Sequence, residues 1–157
     1  MKRAIVPSNE SMNFKQSLLW EEDYDSGREN ENENSPLPGL LGKQSWVVVG
    51  SHGKNPVVFR LVNKLLTGKK TVHRVNPSLA SSEDSAYNSL KVINEHVDVV
   101  VLIISPQKGL RIVEDMCLLG IRNLWIQPGA ASPEILSAAR QYGINVHEGC
   151  IMLEAPW

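Results

Sequence analysis

Two hydrophobic rhythms alternate along the second two-thirds of this chain. Trp46–Val49 is an unbroken apolar run ending at Gly50, the mark of a strand buried on both faces. Val57, Val58, Leu61, Val62, Leu65 and Leu66 then recur at helical spacing until Gly68 stops them. Thr71–Val75 reads as a second strand closed by Asn76-Pro77, and Ser85–Ile93 as a short helical or irregular connection. Val97–Ile104 is the strongest strand, a β-branched run that belongs at the centre of a sheet. Leu110–Leu119 predicts a helix ended by Gly120, and Leu124–Ile126 a strand. Ser132-Pro133-Glu134 opens a further helix with Gly143 beyond its end, and Ile144–His147 is the last strand. Strands separated by helix-length crossovers predict an α/β fold: a Rossmann-like, doubly wound, parallel five-stranded sheet with helices on both faces.

The first 44 residues break both rhythms. Glu29-Asn30-Glu31-Asn32-Glu33-Asn34 is a low-complexity polar tract, and Ser35-Pro36-Leu37-Pro38-Gly39 reads as a linker. Such composition buries too little apolar area to offset chain entropy, so residues 1–44 are expected to form a disordered or weakly structured acidic tail ahead of a domain at 45–157. Phe14–Tyr24, with Leu18, Leu19 and Trp20, is the one part of the tail with the makings of a short docking helix.

Charge sharpens this division. Of 157 residues, the first 44 carry 8 acidic and 5 basic side chains and the remainder 9 and 11, for a net charge of −1. That balance predicts no general attraction to nucleic acid or anionic membrane, while the slightly basic domain suits a phosphorylated small molecule. No apolar run reaches the about 18 residues that a bilayer-spanning helix needs. Cys117 and Cys150 show no metal-ligand spacing and read as reduced thiols, which points to the cytoplasm. A mitochondrial leader is the alternative, opposed by Glu10 and the acidic run from Glu21. A homo-oligomer, or a protein partner reached through the tail, is compatible with this composition.

In parallel sheets of this kind ligands lie at the carboxyl ends of the strands. The first such loop is Gly50-Ser51-His52-Gly53-Lys54-Asn55-Pro56. Its glycines would let a phosphate approach the backbone and the next helix would offer free N–H groups, although a plain strand-to-helix turn has the same composition. It is neither G-x-G-x-x-G nor a P-loop. The second strand ends in Asn76-Pro77, with Arg74 and His73 beside it. An NAD site calls for an acidic residue there, so Asn76 disfavours NAD and leaves room for a ligand with an extra phosphate. An Asn-Pro turn needs no ligand to form. The third loop holds Ser105-Pro106, where Ser105 could donate to a ligand or cap the next helix. The fourth holds Gln127-Pro128-Gly129, and the fifth Glu148-Gly149-Cys150.

Five segments, in order over about 110 residues, resemble the small CoA-binding domain family, whose fold is shared with the N-terminal domain of the succinyl-CoA synthetase α subunit. They are Trp46–Ser51, Val75-Asn76-Pro77, Tyr87-Asn88-Ser89-Leu90 with Val97-Asp98-Val99-Val100, Trp125-Ile126-Gln127-Pro128-Gly129, and Ile144–Glu154 with Cys150. The resemblance implies coenzyme A or an acyl-CoA along the strand ends, its nucleotide near the first turn and the Val-Asn-Pro turn. It makes Gly50, Ser51, His52, Lys54, Arg74, Asn76, Pro77, Ser105, Pro106, Gln127, Gly129 and Cys150 the candidate ligand-binding residues. The family's arginine in the opening loop is replaced by Val57, that before the third-loop proline by Ile104 and Ser105, and the Asp-Arg before the cysteine by Glu148-Gly149. Lys54, Arg60 and Arg74 are the candidates to restore the lost charge.

No nucleophile, base and acid come together in the pattern. His52 and His73 read as solvated, and Cys117, beside Leu118 and Leu119, reads as core. His147 near Cys150 would favour a thiolate able to form a mixed disulfide with coenzyme A, whereas a buried inert thiol is the plainer reading. The phosphorylated histidine and grasp domains of the synthetase have no counterpart, so ligase activity by this chain alone is not expected. The leading expectation is non-enzymatic binding of coenzyme A for sensing, carriage or regulation. The alternatives are a degenerate Rossmann scaffold for protein–protein interaction and an NAD(P)-binding enzyme.

Overall fold

Alternation within the strands decides which helices cover which side of the sheet. A computed structural model describes residues 37–51, 55–82 and 86–157, so the expectations for the tail before residue 37 lie outside the described residues. The strands are β1 (Ser45–Val49), β2 (Thr71–Val75), β3 (Val99–Leu102), β4 (Asn123–Ile126) and β5 (Asn145–Glu148). All pairings are parallel, in the order β2-β1-β3-β4-β5. Val47, Val49, Val100, Leu102, Leu124 and Ile126 point to one core. Trp46, Val48, Val99, Val101 and Trp125 point to the other, as the period of two requires. The predicted doubly wound architecture is therefore borne out.

The first core is covered by α3 (Pro106–Leu119) and α4 (Pro133–Gln141), numbered in chain order. The opposite core is covered by α1 (Leu37–Leu41), α2 (Pro56–Thr67) and α5 (Ile151–Glu154). Helix α2 buries Val58, Leu61 and Leu65, one stripe of its 3.6-residue repeat. Helix α4 starts as its sequence predicts, with Ser132 Oγ accepting from the Ile135 N–H at 3.1 Å. Helix α1 was not expected. It lies in the stretch that composition presents as linker, and it forms because Leu40 inserts fully into the second core.

Between β2 and β3 the chain makes a single extra rung. Val75 bridges to Tyr87 in parallel register, with Tyr87 N–H donating to Arg74 O and Asn76 N–H to Tyr87 O. A 3₁₀ turn at Leu90–Val92 follows and seats Leu90 in the first core.

A polar clasp ties the amino ends of the strands together. Asp98 Oδ2 accepts from the backbone N–H groups of Ser45 at 2.9 Å and Gln44 at 3.2 Å, and Oδ1 lies 2.7 Å from His96 Nε2. Asn123 Nδ2 donates to Asp98 O, and Asn145 Nδ2 to Asn123 Oδ1. Partial burial pushes the Asp98 carboxyl up. The hydrogen bonds from Ser45, His96 and Gln44, with the charge of His96, outweigh this and hold its pKa below the usual carboxylate range. A depressed folded pKa gives stability that is present above the unfolded value of about 3.9 and is lost as pH falls through the folded value. Asp98→Asn is therefore expected to cost about 2 kcal/mol at pH 7, with the deficit shrinking below pH 4, as read from urea midpoints at the two pH values. A pH-independent deficit would show that the charge contributes nothing.

Candidate functional site

From β1 the chain moves to β2 on one side, then crosses back to β3 on the other and continues outward, so strand order reverses at β1. With the Tyr87 rung outside β2, the arrangement is that of a nucleotide-binding doubly wound sheet, whose crevice opens at the carboxyl ends of β1 and β3. Gly50 sits there because nothing larger fits. A Cβ would lie 2.7 Å from Ile103 Cγ2, 2.9 Å from Val58 Cγ2 and 3.1 Å from Ile103 O. Its N–H donates to Val75 O, which locks the ends of β1 and β2 together.

Two helices begin at this crevice, with different caps. At α2 the Asn55 side chain accepts from the Val57 N–H at 3.0 Å, and Pro56 has no N–H to offer. At α3 the hydroxyl of Ser105 makes no capping bond, contrary to one of the two roles expected of it; Ser105 is exposed and Pro106 follows as the first helical residue. The self-capped α2 thus has less to give an anion than its sequence suggested.

Beside α3 lies an open groove of about 750 Å³, bounded on its other side by the chain that leaves β2. Pro77, Ser78, Ser89, Lys91, Lys108 and Arg111 are among its lining residues. Lys108 Nζ donates to Ser78 Oγ at 2.8 Å, linking the Val-Asn-Pro turn to α3. The turn is shaped by Asn76, 8% exposed, whose Oδ1 accepts from the Ser78 N–H at 3.0 Å. A groove of this size falls in the range that takes a small-molecule ligand, and its ammonium, guanidinium and hydroxyl groups are phosphate donors. The cationic end of this groove has the donor chemistry that the phosphates of coenzyme A require, while Glu114, Asp115 and Leu118 line its far end.

The β4 and β5 ends form a second cluster. Gln127 is 3% exposed, and its Oε1 accepts from the Ile151 N–H at 2.9 Å, which leaves its amide N–H groups as the remaining polar function. Pro128-Gly129 forms a type II turn, with Gly129 at φ 88° and Ala130 N–H donating to Gln127 O. Half-buried Cys150 starts α5, and its N–H donates to Glu154 Oε2. His147 Nε2 lies 2.6 Å from Glu154 Oε1 and its ring packs T-shaped with Trp125, centroids 4.6 Å apart, so the imidazole is engaged by a carboxylate rather than by the thiol.

The remaining candidates divide in three ways. Ser51 is half-buried beside the crevice and accepts from the Asn55 N–H through its carbonyl. Arg74 stands over the Phe59 ring, 5.7 Å from its centroid, on the α2 side of the sheet. His52 and Lys54 lie outside the described residues. Two sequence readings are corrected. His73 is not solvated: the Tyr87 segment covers it, rings 6.1 Å apart, and its Nε2 is buried without a hydrogen-bond partner among the described residues. Cys117 is exposed, because α3 buries Gly109, Ile112, Val113 and Met116, and the helical repeat turns Cys117 and Leu118 outward. Sequence reasoning also missed Ser78, Lys108 and Arg111. Cations three residues apart after a central strand were the available signal.

The CoA binding domain family matches residues 44–156, and the chain belongs to that family, a CoA-binding module. Among solved structures, a conserved hypothetical protein from Pyrococcus furiosus is 31% identical, with a TM-score of 0.60 over 71% of this chain and 99% of that one. A hypothetical protein from Pyrococcus horikoshii is 21% identical, with a TM-score of 0.69 over 85% and 94%. The dinucleotide-forming acetyl-coenzyme A synthetase 1 of Ca. Korarchaeum cryptofilum is 22% identical, with a TM-score of 0.55 over 70% of this chain but 27% of the synthetase. None of the curated proteins matches. Among the described residues, no helix is long and apolar enough to cross a membrane, and no three His, Cys, Asp or Glu side chains group to hold a metal.

Proposed function

We propose that this chain binds coenzyme A or an acyl-CoA without transforming it, as a cytoplasmic sensing, carrying or regulatory module. The observation that carries the reading is the groove beside the switch point, which joins the Val-Asn-Pro turn to α3 through Ser78 and Lys108. The nucleotide end lies toward Pro77 and that groove. The pantetheine arm runs along the strand ends toward Gln127, Gly129 and Cys150. Internal use of the Asn76 and Gln127 carbonyl oxygens gives these residues the task of shaping the loops, while Ser105, with its hydroxyl free of a capping bond, faces the ligand.

Calorimetry on the full chain with coenzyme A, acetyl-CoA and NADH tests this reading. Saturable heat at one ligand per chain for the two coenzyme A forms, and none for NADH, is expected. No heat up to millimolar coenzyme A, or an equal response to NADH, would overturn it.

A further inference from the structure

The groove is charged unevenly. Of its three cations, Lys91 is paired with Asp115 at 3.6 Å. Arg111 and Lys108, about one and two helical turns before Asp115 on α3, have no carboxylate within salt-bridge reach among the described residues. Residues at i and i+3 share a helix face, so both cations address the same stretch of the groove wall. Ser78 Oγ holds the Lys108 ammonium at the mouth with one of its three protons, leaving two donors directed elsewhere. Glu114, Asp115 and Leu118 line the groove further along α3, so a polyanion is favoured at one end and disfavoured at the other.

We propose that Lys108 and Arg111 read the 3′-phosphate of the ligand's ribose, so that this chain selects coenzyme A over its dephosphorylated form. The inference rests on the coenzyme A reading above and adds a specificity determinant to it. Coenzyme A carries a phosphate monoester on the adenosine ribose in addition to its diphosphate bridge. The monoester is the group that a NAD-type acidic residue would repel and that two unneutralised cations beside the Val-Asn-Pro turn would retain. These side chains take over, from the first turns of α3, the charge that the family pattern supplies before Pro106. Arg74, stacked over Phe59 on the other face of the sheet, is not needed for it.

Competition calorimetry of coenzyme A against dephospho-CoA, on the full chain and on its Lys108→Met/Arg111→Gln double variant, decides the matter. The native chain is expected to prefer coenzyme A by about tenfold or more. The double variant should bind both forms alike, at the native chain's dephospho-CoA affinity. Arg140→Gln, on the exposed side of α4, should keep the preference, and thermal melts should confirm that each variant is folded. A native chain without preference, or a preference that survives in the double variant, would overturn the assignment while leaving coenzyme A binding intact. Binding of neither form would remove the coenzyme A reading, and this proposal with it.

Discussion

Trp125→Ala is expected to lower the unfolding free energy by about 4 kcal/mol, the largest loss for any single side chain here. Trp125 has no exposed surface, packs against Trp46 with ring centroids 6.1 Å apart, and makes a T-shaped contact with His147. Truncation leaves a cavity among the parallel strands β1, β3 and β4, whose backbones cannot close in to fill it. The indole N–H also donates to Gly149 O at 2.8 Å, the bond that fastens the loop after β5 to the sheet. Trp125→Phe separates these contributions: it keeps most of the volume and should lose about 1–2 kcal/mol through the orphaned carbonyl and a small void. Domain stabilities are typically about 5–15 kcal/mol, so the alanine variant would forfeit a large share. Urea midpoints with unchanged m-values are the measurement. A loss under about 2 kcal/mol for the alanine variant would mean that this corner repacks.

Gly50→Ala is expected to cost about 2–3 kcal/mol and to weaken coenzyme A binding in the same step. The added methyl meets side chains on both neighbours and also the Ile103 carbonyl, which is backbone and cannot rotate away. Ile103 N–H donates to Val49 O, so relief requires the ends of β1 and β3 to part. The crevice lies between those ends, and the displaced segment leads straight into Ser105. Gly129→Ala is the useful contrast. Its Cβ would meet nothing within 4 Å, but φ 88° puts an alanine in a left-handed conformation costing about 1–2 kcal/mol. Equal losses in the two variants, with coenzyme A affinity untouched by Gly50→Ala, would contradict the close-approach argument.

The fold was legible because the central strands are β-branched or apolar runs closed by turns, and the polar outer ones, β2 and β5, are marked by the helices and turns that flank them. Val99–Leu102 and Thr71–Val75 needed no tertiary information. What escaped notice depends on partners far away in sequence. Helix α1 places Leu37, Leu40 and Leu41 on the second core, but it is barely more than one turn long and carries Pro38 and Gly39, so its short apolar pattern reads as linker. The Tyr87 rung is a single pairing with Val75, which no local pattern specifies. Cys117-Leu118-Leu119 reads as core because contiguous apolar residues suggest burial, yet the face of α3 was already set by Gly109, Ile112, Val113 and Met116. At the site, Asn76 and Gln127 stood out as polar residues at strand ends. Their carbonyl oxygens are consumed within the fold, which composition cannot reveal. Lys108 and Arg111 look like the solvated face of a surface helix until the chain after β2 is laid against them.

The Tyr87 rung has a consequence beyond the binding site. β2 is an outer strand, and a bare outer strand invites pairing with another molecule's backbone. By taking up Arg74 O and presenting its own carbonyl to the Asn76 N–H, Tyr87 fills the stretch of that margin nearest the crevice. At the opposite margin, β5 presents Asn145 and Glu148, exposed polar side chains of the kind that discourage edge-to-edge association. Among the described residues, the two flanks thus blunt edge pairing differently: a borrowed backbone rung covers the Arg74–Asn76 stretch of one, and polar side chains mark the other.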